Sequence, residues 1–261
     1  MDDIGEKTLR KRAEAGEAKA QIALAQILEA QAQDEEAILW LQRAVNSGDC
    51  HAKWLLAKRY LGKPPKKSEE GTALLLSAAD GDAEAAHVVA SLLACGIGAP
   101  RDWGKAFEYL TRSAELGFPP ARRELIFLAT GGLAHEQERE HPAGDWKTLC
   151  DAIDLSAWMA VPPRKMVSRD PRIAIVEGAA SAAMYDWFVE RAKPRCRRAD
   201  VLDQASGEIF QSEVRTNSAA PFNALEVDVI FAIMRLRISM LTGLSSEFET
   251  TNVLHYSVGQ I

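Results

Sequence analysis

Four glycines, Gly16, Gly48, Gly81 and Gly117, frame the first half of the chain at separations of 32, 33 and 36 residues. Four positions after each stands an alanine: Ala20, Ala52, Ala85 and Ala121. Four further on the residue is apolar: Leu24, Leu56, Val89 and Leu125. Seven before each glycine is a leucine: Leu9, Leu41, Leu74 and Leu110. Residues four apart share one helix face. The spacing therefore predicts repeated helical hairpins, with alanine where two helices approach and leucine filling the space between them. One hairpin cannot bury its apolar stripe alone, so the units are expected to stack on a continuous core. Each glycine is expected to end the second helix of its unit, where a left-handed residue is cheap.

The pattern changes after about residue 132. His135 to Trp146, HEQEREHPAGDW, is polar and reads as a solvated linker. It is not H-E-x-x-H, because Arg139 stands where a second histidine belongs. A helix is expected around Leu149–Trp158, then Pro162-Pro163. Arg172–Val176 reads as a strand and Ala179–Lys193 as a helix carrying Met184, Trp187 and Phe188, with Pro194 beyond its end. Ala199–Leu202 and Phe210–Thr216 read as strands joined through Ser206-Gly207. Asn223–Thr242 reads as a long helix, apolar on most of its circumference and so deeply buried. Gly243 ends it, and Thr251–Val258 reads as a final strand. The expected domains are residues 5–132 (repeats), 133–167 (linker and connecting helix) and 168–261 (an α+β module).

Composition narrows the function classes. Hydrophobic residues are 47% and charged residues 26%, ordinary for a folded chain. The net charge of −6 gives no support for general nucleic-acid binding. The four cysteines, Cys50, Cys95, Cys150 and Cys196, form no C-x-x-C pair, which argues against a zinc or redox motif. No secretory h-region and no long apolar run are present, so the expectation is a cytoplasmic protein with no membrane partner.

Residues 94–117, ACGIGAPRDWGKAFEYLTRSAELG, resemble one unit of the Sel-one-like repeats, relatives of the tetratricopeptide repeats. Gly96, Gly98, Asp102, Lys105, Ala106, Tyr109 and Ala114 carry the resemblance, and Asp102 is placed to cap the next helix. The other units depart from it, with a short loop at Gln33-Asp34 and Lys63-Pro64-Pro65-Lys66-Lys67 in the second. Such arrays bind proteins or peptides on a concave face. The alternative is a spacer that orients the next domain.

Three patches of the second half resemble the N-terminal half of the prolyl 4-hydroxylase-like 2-oxoglutarate/Fe(II) oxygenases. They are Pro171-Arg172-Ile173, then Glu213-Val214-Arg215-Thr216-Asn217-Ser218, then Leu241–Leu244 with Asn252-Val253-Leu254-His255-Tyr256-Ser257-Val258-Gly259-Gln260. The resemblance implies the start of a double-stranded β-helix (jelly-roll) domain. It implies Fe(II) on a His-x-Asp and a distant His, with 2-oxoglutarate on a basic residue and ascorbate as a further cofactor of the complete domain. It places Tyr256 at the cofactor pocket and Arg215, Thr216 and Ser218 at the peptide entrance. The bland alternative makes Arg215 a surface ion pair and Tyr256 a core tyrosine.

None of the five histidines begins H-x-D or H-x-E. The family's His-x-Asp follows G-Q within a few residues, whereas Gln260-Ile261 closes this sequence. The reading therefore names no catalytic or metal residue and expects no cofactor in this chain. It expects an inactive member of an oxygenase lineage whose repeats recruit a protein or peptide substrate, with self-association through the incomplete module. The alternative is a non-enzymatic, repeat-based interaction scaffold with a vestigial α/β cap.

Overall fold

A computed structural model describes residues 3–63, 66–132, 145–202, 206–207, 209–211, 216–244 and 251–259. It contains a helical solenoid and an α+β module with a small antiparallel sheet. By internal contacts the chain forms two compact units, Met1–Ala90 with Trp103–Leu125, and Ser91–Asp102 with Ile126–Ile261.

The solenoid runs through α1 (Asp3–Glu14), α2 (Ala18–Ala30), α3 (Asp34–Asn46), α4 (Cys50–Gly62), α5 (Ser68–Ala78), α6 (Ala83–Cys95), α7 (Trp103–Glu115) and α8 (Pro119–Ala129). The repeat alanines are buried, and so are Leu24, Leu56, Val89 and Leu125. Leu41 and Leu110 are buried, whereas Leu9 and Leu74 are half-buried against the first core cluster. Burying each leucine contributes roughly 1.5–3 kcal/mol, the main force stacking the hairpins. The alanine also receives a local signal. Asp49 accepts the Ala52 N–H, and Asp82 the Ala85 N–H, both at 2.8 Å, which caps α4 and α6.

The framing glycines sit in the short turns α1–α2, α3–α4, α5–α6 and α7–α8, while the loops between these pairs vary in length. Gly16, Gly48 and Gly117 have φ of +92°, +90° and +98°. Gly81 does not share this conformation, contrary to expectation. A Cβ there would lie 2.9 Å from Cys50 Sγ, so the constraint is close packing rather than handedness.

Polar pairs also cross the solenoid. Arg59, nearly buried, donates to Asp34 at 3.1 Å. His51 Nδ1 lies 2.8 Å from Asp82 Oδ2. His87 on α6 and Glu124 on α8, both buried, share a short hydrogen bond.

The second unit departs from expectation in several places. The helix expected at Leu149–Trp158 is two, α9 (Trp146–Asp151) and α10 (Leu155–Met159), each capped by an aspartate, Asp145 and Asp154. The strand at Arg172 pairs with an unanticipated one. β1 (Lys165–Arg169) and β2 (Arg172–Ile175) form an exposed antiparallel hairpin with a cis Asp170-Pro171 bond at its turn. Then come α11 (Ala182–Ala192), β3 (Arg197–Arg198), β4 (Val201–Leu202), β5 (Ile209–Phe210), β6 (Ser218–Phe222), α12 (Val229–Thr242) and β7 (Thr251–His255). β4 pairs with β5, which shares only Phe210 with the expected strand Phe210–Thr216, of which residues 212–215 lie outside the described residues; β6 is not expected from the sequence, and β7 stops at His255 rather than Val258.

The helix expected from Asn223 starts at Val229, because Asp228 caps it and residues 224–226 form a turn. Its burial is also partial. Val229 to Ile233 are buried, but Ile238 and Met240 are exposed.

An aromatic core ties this unit together. Phe127 lies 5.4 Å from Trp158 and 4.9 Å from Trp187, and Phe231 packs on Phe188 and Phe222. Arg237 is buried within it and donates to the main-chain oxygens of Trp158, Ala160 and Ala179. Burial lowers its pKa from the ordinary guanidinium value. Gly132 meets a double constraint, φ +94° and a Cβ position 2.7 Å from Ala183 Cβ.

Candidate functional site

The helices beneath the sheet are fixed by one carboxylate. Asp228, fully buried, caps α12 by accepting the Phe231 N–H at 2.8 Å. It also accepts the Trp187 indole N–H at 3.0 Å and the Arg191 guanidinium at 2.5 Å. Arg191 reaches on to the Glu226 carbonyl at 2.8 Å, and Arg195 pairs with the Glu226 carboxylate. A buried carboxylate is tolerable only when paired and hydrogen-bonded in this way. Together these bonds tie α11 to the start of α12.

Above them lies an antiparallel sheet in the order β3-β6-β7. Arg198, Ser218 and His255 form one row across it, and Arg197, Ala219 and Leu254 the next. Rows alternate between faces. Ala220 and Phe222 are buried, so their row-mates Val253 and Thr251, and Ser218 two positions before Ala220, belong to the helix-packed face. Ala219, Pro221, Asn252 and Leu254 belong to the outer face with Arg197, around a cleft of about 320 Å³ that Arg198, from the Ser218 row on the edge strand β3, also lines.

Ser218 opens β6 opposite His255, the last residue of β7, with Thr216 two residues before it and Tyr256 one residue after His255. The register thus brings these three residues to one end of the sheet. Tyr256 is 54% exposed and is not a core tyrosine here. Arg215 lies outside the described residues, as do His135 and His141.

Two features of this end escape the sequence reading. Asn217 is fully buried, its carbonyl accepting the Ala199 N–H at 2.9 Å and its side-chain amide donating to the Ser218 carbonyl. Arg197 and Arg198 line the outer cleft. The signal for them is the basic run Arg191-Ala192-Lys193-Pro194-Arg195-Cys196-Arg197-Arg198.

Metal chemistry finds no support in these side chains. Among the described residues no group of three His, Cys, Asp or Glu side chains converges. Those residues do not fit an Fe(II) centre. Cys95 is buried, which pushes its thiol up to about 11 and makes it a poor ligand or nucleophile. No described helix is long and apolar enough to cross a membrane.

No family model matches the chain. Over 95 residues it is 35% identical to Probable prolyl 4-hydroxylase 7 of Arabidopsis thaliana, covering 36% of this chain and 30% of that protein. Probable prolyl 4-hydroxylase 10 of the same plant is 31% identical over 97 residues, covering 37% and 33%. Probable prolyl 4-hydroxylase 4 is 38% identical over 97 residues, covering 37% and 32%. The chain is similar to prolyl 4-hydroxylases. It spans about a third of the length of these curated relatives. Among solved structures, a Sel1 repeat protein from Oxalobacter formigenes matches with a TM-score of 0.41 and 26% identity, covering 45% of this chain and 94% of that one.

Proposed function

We propose that the chain is part of a prolyl 4-hydroxylase-like oxygenase lineage, in which the helical repeats recruit a polypeptide and the sheet end at Thr216, Ser218 and Tyr256 meets it. The observation that carries this reading is the register, which gathers those three residues at one end of a sheet in a chain similar to prolyl 4-hydroxylases. The resemblance puts Tyr256 at the cofactor pocket; the proposal gives it a peptide contact instead, because it is exposed and offers an aromatic face of the kind that packs on proline rings. The resemblance puts Arg215 at the same entrance. The jelly-roll identity of the sheet and the use of Fe(II), 2-oxoglutarate and ascorbate belong to this proposal. In it the described residues supply no set of iron ligands, and the chain by itself binds a polypeptide without hydroxylating it.

The test is a binding isotherm of a fluorescein-labelled proline-rich peptide on the full chain. Saturable binding, weakened by Tyr256→Ala and by Thr216→Ala, supports the reading. Equal binding of a proline-free peptide of the same length overturns it. A second reading, a non-enzymatic interaction scaffold, is favoured by the lack of a convergent metal-ligand group among the described residues. It predicts that proline content does not matter.

A further inference from the structure

We draw no further inference here: the strongest candidate, the cleft of about 550 Å³ among the ends of α8, α9 and α10 and the start of α11, is lined by Arg237 and Asp154, but the guanidinium already donates to three main-chain oxygens, the carboxylate already caps α10, and nothing in the structure shows what fills it.

Discussion

The indole N–H of Trp187 donates to the buried carboxylate of Asp228 across 3.0 Å, joining the middle of α11 to the cap of α12. Arg191, one turn further along α11, reaches the same carboxylate. One side chain therefore caps a helix, satisfies an indole and neutralises a guanidinium.

Asp228→Ala should destabilise the second unit by about 3–5 kcal/mol, because it leaves Arg191 without its buried partner. Asp228→Asn should cost less, since an amide oxygen still caps α12. Urea unfolding followed by tryptophan fluorescence checks both. A loss below about 1 kcal/mol in the alanine variant would show that this carboxylate does not tie the helices together.

In the solenoid, Ala52 and Ala85 are fully buried where helices approach. Replacing either with phenylalanine should cost about 1–3 kcal/mol or more through overpacking. Thermal melts provide the comparison, and variants that melt like the parent would refute the close approach.

Cys95 supplies a pH prediction. Its thiol is raised from an ordinary value near 9 to about 11 by burial. Between those values the folded state holds a proton that the unfolded state has lost. Its contribution to stability is therefore full below pH 9 and is lost as pH rises through 11. At pH 8 Cys95 should be alkylated more slowly than the half-buried Cys50, Cys150 and Cys196. Mass-spectrometric timing of iodoacetamide labelling checks this, and early labelling of Cys95 would contradict its burial.

The solenoid is legible in sequence because its signal is local. Alanine, leucine and glycine recur at fixed spacing, and each hairpin repeats the same packing. Gly81 follows the frame for a different reason, contact with Cys50, which spacing cannot distinguish. The second unit is less legible because tertiary partners decide it. Leu225 and Val227 extend the apolar pattern of α12 backwards, but Asp228 finds a cap and two side-chain donors and starts the helix after them. Pro221 disguises β6 as a loop. It is tolerated because β3 pairs only with Ser218 and Ala219, leaving the rest of β6 one neighbour in β7. Arg237 reads as an interruption of an apolar helix, yet it is buried against carbonyls far away in sequence. At the sheet end, Thr216, Ser218 and Tyr256 were found by resemblance. The cleft arginines were missed because a basic run after a helix reads as solvated surface.

The most direct test of the proposed function places a photo-reactive benzoylphenylalanine at Tyr256 or, in a separate chain, at Tyr185. Both residues are exposed, and Tyr185 lies on α11 at an apolar groove. Each variant is irradiated with a labelled proline-rich peptide, and the cross-linked product is quantified. The proposed function predicts strong cross-linking from position 256, weak cross-linking from position 185, and loss of the former with unlabelled competitor. Equal yields from both positions, or none from 256 while the peptide binds, would contradict it.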